Sequence, residues 1–158
     1  MWAGGVSNSV IAGWSPPEAG FVKFNVVGVV KDNKAGCGGA LRTEKGQIRA
    51  LFMDPVDSFG DDFAGLIFVK LALKVFVEAN WVGKAPLIME LDSKRVIYWI
   101  QNAVHRPWNW WSILVIINKL VKKIGQVHFV YASNVKSALA LGLARDGPVR
   151  ANSFKARW

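Results

Sequence analysis

FVKFNVVGVV, residues Phe21 to Val30, is the stretch on which the reading of this chain turns. Valines and phenylalanines dominate it, the composition of a strand that packs on a pleated, half-buried surface. Two residues interrupt the apolar run: Asn25, a lone polar side chain, and Gly28 near the end, with no acid beside either. Upstream, Pro16-Pro17 imposes an extended path that no central strand accepts, so residues 1–20 read as an N-terminal tail or linker. Downstream, KDNKAG is rich in turn formers. A second strand is expected at about 38–43 and a third at about 47–53. The short turns between them imply an antiparallel meander.

Helices and strands then alternate. Asp61 or Asp62 can cap a helix of about 63–79, where acids suit the positive helix end. Lys70, Lys74 and Glu78 form one wet stripe on an otherwise apolar helix, which should therefore be deeply buried. PLIMEL is a fourth strand, and Asp92-Ser93 leads from it into the amphipathic KRVIYWIQNAV. After the loop HRPWNWW comes SILVIINKLVKKI, a helix whose Lys119, Lys122 and Lys123 lie toward its negative end, with Gly125 as its cap. QVHFVYA is a fifth strand and VKSALALGLA a last short helix. Right-handed crossovers place the late strands parallel to the first. The expected fold class is α/β: a five-stranded mixed sheet, three antiparallel strands then two parallel, with helices on both faces. One domain over 21–147 is followed by a basic tail over 148–158.

Composition sets the outer limits. A chain of 158 residues that is 52% hydrophobic can build one full core, which excludes disorder for most of it. Its apolar runs fall far short of the ~18 residues of a membrane span. The N-terminus has neither a basic start nor a long apolar core, so no signal peptide is expected. The single Cys37 excludes an internal disulfide and suits a reducing compartment, nuclear or cytoplasmic. Twenty Lys and Arg against 11 acids give a net charge of +9, which favours a polyanionic partner. Nucleic acid comes first and an anionic membrane surface second.

Four motifs, in order, span Trp14 to Gly142: WSPPEAGFVKFN, CGGALRTEKGQ, ELDSKRVIYWI and NVKSALALG. Together they resemble the plant-type ribonuclease H-like domains found in retroelement-derived proteins. The resemblance implies the ribonuclease H-like fold, and an ancestral activity that cuts the RNA strand of RNA–DNA hybrids. It also implies four clustered carboxylates holding two divalent cations, Mg²⁺ in active members. Such a pair stabilises the attacking and leaving oxygens of an in-line displacement.

Carried onto this chain, the four acid positions are Val27, Gly65, Asp92 and Ser137 (Ala138 if the gap after Asn134 is set otherwise). Asp92 alone is acidic, so the resemblance implies a catalytically degenerate domain with no cofactor and at most a weak metal contact at Asp92. Asp92 has a second reading as the cap of the following helix. Asp61, Asp62 and Glu90 are weighed as substitutes and set aside on distance or on a structural reading. His128 reads as a packed histidine, because the Arg and Glu that follow it in the family are Tyr131 and Ala132 here.

Candidate nucleic-acid contacts are Asn25, Lys119, Lys122, Lys123, Trp110, Trp111 and Arg145; core packing is the other reading of Trp110 and Trp111, and a solvated helix end that of the three lysines. Trp108 reads as an anchor for the helix behind it. The expected function is weak, salt-dependent binding of RNA, DNA or their hybrid without cleavage. A protein-interaction or structural domain of retroelement origin is the alternative. A decayed fragment without selected activity and a residual Mg²⁺-dependent hybrid ribonuclease complete the set.

Overall fold

The computed structural model describes residues 16–31, 34–56, 61–102, 107–132 and 154–158. The first strand, β1 (Val22–Lys31), runs antiparallel to β2 (Lys34–Arg42), and β2 runs antiparallel to β3 (Ile48–Val56). Thr43 closes the β2–β3 turn: its Oγ1 accepts from the Lys45 and Gln47 amides at 3.3 and 3.2 Å. Helix α1 (Asp61–Glu78) follows. It ends with Asn80 at φ 63°, while the Asn80 and Trp81 amides reach back to the carbonyls of Val77 and Phe76. A left-handed residue with this pair of reverse bonds stops a helix and satisfies its last carbonyls.

Strand β4 (Leu87–Leu91) then pairs parallel with β1, Asn25 opposite Glu90. Helix α2 (Lys94–Gln101), a 3-10 turn (Trp108–Trp110) and helix α3 (Trp111–Ile124) lead to β5 (Val127–Tyr131), parallel to β4. The last strand, β6 (Phe154–Arg157), pairs antiparallel with β3. The sheet order is β5-β4-β1-β2-β3-β6.

The mixed α/β architecture is the expected one, with six strands in place of five. The extra strand comes from the stretch read as a basic tail. Phe154-Lys155-Ala156-Arg157 alternates apolar and basic residues, the period-two pattern of a strand. Lys155 forms an ion pair with Glu78 at 3.0 Å, so it is engaged with α1. Helix α1 lies across one face of the sheet. Phe24, Leu41, Phe52, Leu66, Leu73, Phe76, Leu87, Met89, Leu114 and Ile117 are fully buried in the shared core. The expected helix over 135–144 lies outside the described residues, as do Ser137, Arg145 and Arg150.

Candidate functional site

In a sheet of this topology the C-terminal ends of the parallel strands β1 and β4 are where ligands gather. Here those ends meet the first turns of α1 and α2 around a cavity of about 20 Å³. Its lining is Val26, Gly65, Phe68, Leu91, Asp92, Ser93 and Val96. Five of these seven offer carbon or hydrogen alone. Ser93 is already engaged as the cap of α2, its Oγ accepting the Val96 amide at 3.2 Å. That corrects the reading of Asp92 as the cap: Asp92 stands one residue earlier and is left with its carboxylate at the mouth.

Two of the lining residues fill the space that a ligand-bearing side chain would need. A Cβ built on Gly65 would lie 2.7 Å from Val96 Cγ2. One built on Gly28 would run into the ring of Phe68, at 1.9 Å. Gly28 is therefore glycine because a phenyl ring from α1 lies across β1 there. This explains one of the two interruptions in the opening strand.

Asp92 is exposed as a residue, yet the apolar mass behind it desolvates the carboxyl and raises its pKa, partly opposed by a hydrogen bond to its own backbone. A raised folded-state pKa makes this group's stability contribution greatest below the unfolded aspartate value. The contribution is lost as pH rises through the folded value. Asp92→Asn should therefore leave the thermal midpoint at pH 7 unchanged or slightly higher, measured by circular dichroism. A clear fall would mean that the carboxylate makes a stabilising contact.

A pair of divalent cations does not fit this donor set. Hard cations take oxygen ligands and need several negative charges to offset their own. Among the described residues the cavity offers one carboxylate, that of Asp92, and one hydroxyl already in use. Among the described residues no group of three or more His, Cys, Asp or Glu converges anywhere.

The structure distributes the other expected residues in ways the sequence did not reveal. Val26, not Val27, borders the cavity. Val26 and Gly28 face α1, so alternation turns Val27 to the other side of the sheet. Asn25 shares that other side and is only 3% exposed. It donates through Nδ2 to Glu90 Oε1, while Lys23 Nζ lies 3.4 Å from Glu90 Oε2. Asn25 is thus a structural partner of Glu90, which corrects its reading as a nucleic-acid contact and explains the second interruption of the strand. His128 is exposed and meets the Phe21 ring at 5.9 Å, away from Asp92.

Trp108 is not the anchor, and of its two readings Trp110 takes the packed one. Trp110 packs edge-on to Trp99 at 4.7 Å and against Phe63 at 6.2 Å, so it is the anchor. Trp108 is 86% exposed and Trp111 56%. Lys119, Lys122 and Lys123 are exposed on α3, as expected.

No family profile matches the sequence, and no curated protein matches it. Solved structures do. RNase H1 from the halophilic archaeon Halobacterium salinarum NRC-1 superposes with a TM-score of 0.70 at 18% identity, over 81% of this chain and 97% of that one. The chain has the ribonuclease H fold. LC11-RNase H1, solved in complex with RNA/DNA hybrid, gives 0.71 at 16% identity over 82% and 98%. Prototype foamy virus protease-reverse transcriptase gives 0.63 at 18%, over 88% of this chain and 22% of the viral one. At such identities the ribonuclease H likeness is one of backbone, and the chemistry has to be argued from this chain's own side chains.

Proposed function

We propose that this ribonuclease H-fold domain binds nucleic acid without cutting it. The observation that carries the second half of the reading is the apolar lining of the cavity: among the described residues, Val26, Leu91, Phe68 and Val96 surround the single carboxylate of Asp92. Desolvating a divalent ion against such walls without compensating oxygens is costly. The first half is supported by the net charge of +9. It is also supported by the fold neighbours, one solved with RNA/DNA hybrid and a foamy viral enzyme solved with hybrid and with dsDNA. The four motifs support descent from a plant-type, retroelement-associated domain. A protein-interaction role is the second reading, favoured by the exposure of Trp108 and Trp111.

The test is fluorescence anisotropy with a labelled RNA–DNA hybrid at about 50 and about 200 mM salt, run beside a cleavage assay in Mg²⁺ or Mn²⁺. Binding should weaken at least tenfold at the higher salt, as counterion release requires, and the RNA strand should stay intact. Absence of binding at low salt would favour the protein-interaction reading. Metal-dependent cleavage that disappears in Asp92→Asn would overturn the non-cutting half.

A further inference from the structure

Trp108 and Trp111 are joined by a hydrogen bond from the Trp111 amide to the Trp108 carbonyl, across a 3-10 turn that passes straight into α3. Side chains three apart in such a turn eclipse. The two indoles therefore share one side of the turn, while Trp110 points inward to Trp99 and Phe63. Tryptophan contributes most when its large apolar surface is covered, and here two neighbouring indoles are left largely in water.

The same side continues along α3. Ser112, Ile116, Lys119, Lys122 and Lys123 are exposed, whereas Ile113, Leu114, Ile117 and Ile124 are buried. At 3.6 residues per turn, the exposed set from Trp111 to Lys123 falls within an arc of roughly 140°, and it rises about 18 Å along the axis. Helix α3 contains no acid. Among the described residues none of its three lysines is engaged in an ion pair. The ledge is therefore aromatic at its head and cationic toward its foot.

Its charge and aromatic character identify the occupant. An apolar protein surface would gain only Ile116 beyond the indoles and would have to desolvate the lysines. A nucleic-acid duplex satisfies the lysines but keeps its base faces stacked on one another. An unpaired strand can do both: bases stack on exposed aromatic rings while phosphates follow the cations. We infer that the exposed face of α3 is a binding site for single-stranded nucleic acid, with bases on Trp108 and Trp111 and the backbone along Lys119, Lys122 and Lys123. This rests on the nucleic-acid reading above and specifies its ligand.

The test uses the full chain, a labelled poly-pyrimidine single strand and a hybrid duplex of the same length, at low salt. Trp108→Ala/Trp111→Ala should weaken single-strand binding by about tenfold or more and leave duplex binding and the salt slope unchanged. Lys119→Gln/Lys122→Gln/Lys123→Gln should lower the slope of log K against log salt for the single strand by about 2. All five side chains are exposed, so thermal midpoints should match the wild type and separate a lost contact from a lost fold. Equal weakening of both ligands in the tryptophan variant, or none of the single strand, would overturn this site and leave the nucleic-acid reading standing. Failure of the wild type to bind either ligand would overturn both.

Discussion

Glu90→Ala should lower the free energy of unfolding by about 3–5 kcal/mol, the range for removing one partner of a buried charge pair. The side chains of Lys23 and Glu90 are only 10% and 12% exposed. The Glu90 carboxylate takes the Lys23 ammonium on one oxygen and the Asn25 amide on the other. Truncation strips both donors of that acceptor inside the fold, where water replaces it poorly. Arg42 lies opposite Lys23 in the β1–β2 register and is fully buried, and burial pulls its pKa down to about 10. Glu90→Gln should lose less, because its amide oxygen can still accept from Asn25. Urea unfolding at neutral pH reads both losses as shifts in midpoint at constant slope. A loss under about 1 kcal/mol for Glu90→Ala would mean that water reaches the cluster and that the pair behaves as a surface one.

That cluster also explains what the sequence could and could not disclose. Strands β1 to β3 and helix α1 were legible because their periodicity is local and long. The β4-to-α2 junction was legible through Asp92-Ser93, although only geometry assigns the cap to Ser93. Asn25 was misread because its partner lies 65 residues away and is reached only once β1 and β4 pair. Val26 and Val27 differ by one step of a period-two pattern, and a single step exchanges the face toward α1 for the opposite one. Trp108 was misread as the anchor because the phase of one 3-10 turn decides which indole points inward. Strand β6 has four residues and two cations, too little periodicity to outweigh its charge.

Gly65→Glu should lose about 1–3 kcal/mol through overpacking, although helix propensity alone favours the change by up to about 1 kcal/mol. The obstruction is specific. Val96 is buried in the first turn of α2, Ser93 caps that turn, and the Cγ2 of Val96 would stand 2.7 Å from the new Cβ. A β-branched side chain in a helix has little rotamer freedom with which to yield. Val96→Ala removes the obstructing methyls and alone should cost about 2 kcal/mol as a cavity. In the double variant the introduced carboxylate side chain can use the space that Val96 vacates. Gly65→Glu/Val96→Ala should therefore be more stable than the sum of the single losses predicts, by about 1 kcal/mol or more. Strict additivity would show that Val96 does not close this side of the cavity. The double variant also brings a second carboxylate toward Asp92. A like charge there should push the Asp92 pKa further up, readable by NMR titration. Mn²⁺ binding gained in this variant would show that packing between α1 and α2 is what keeps a cation out of the cavity. A stable double variant still indifferent to Mn²⁺ would place the deficit on β1 as well, where Val26 presents methyl groups and no oxygen.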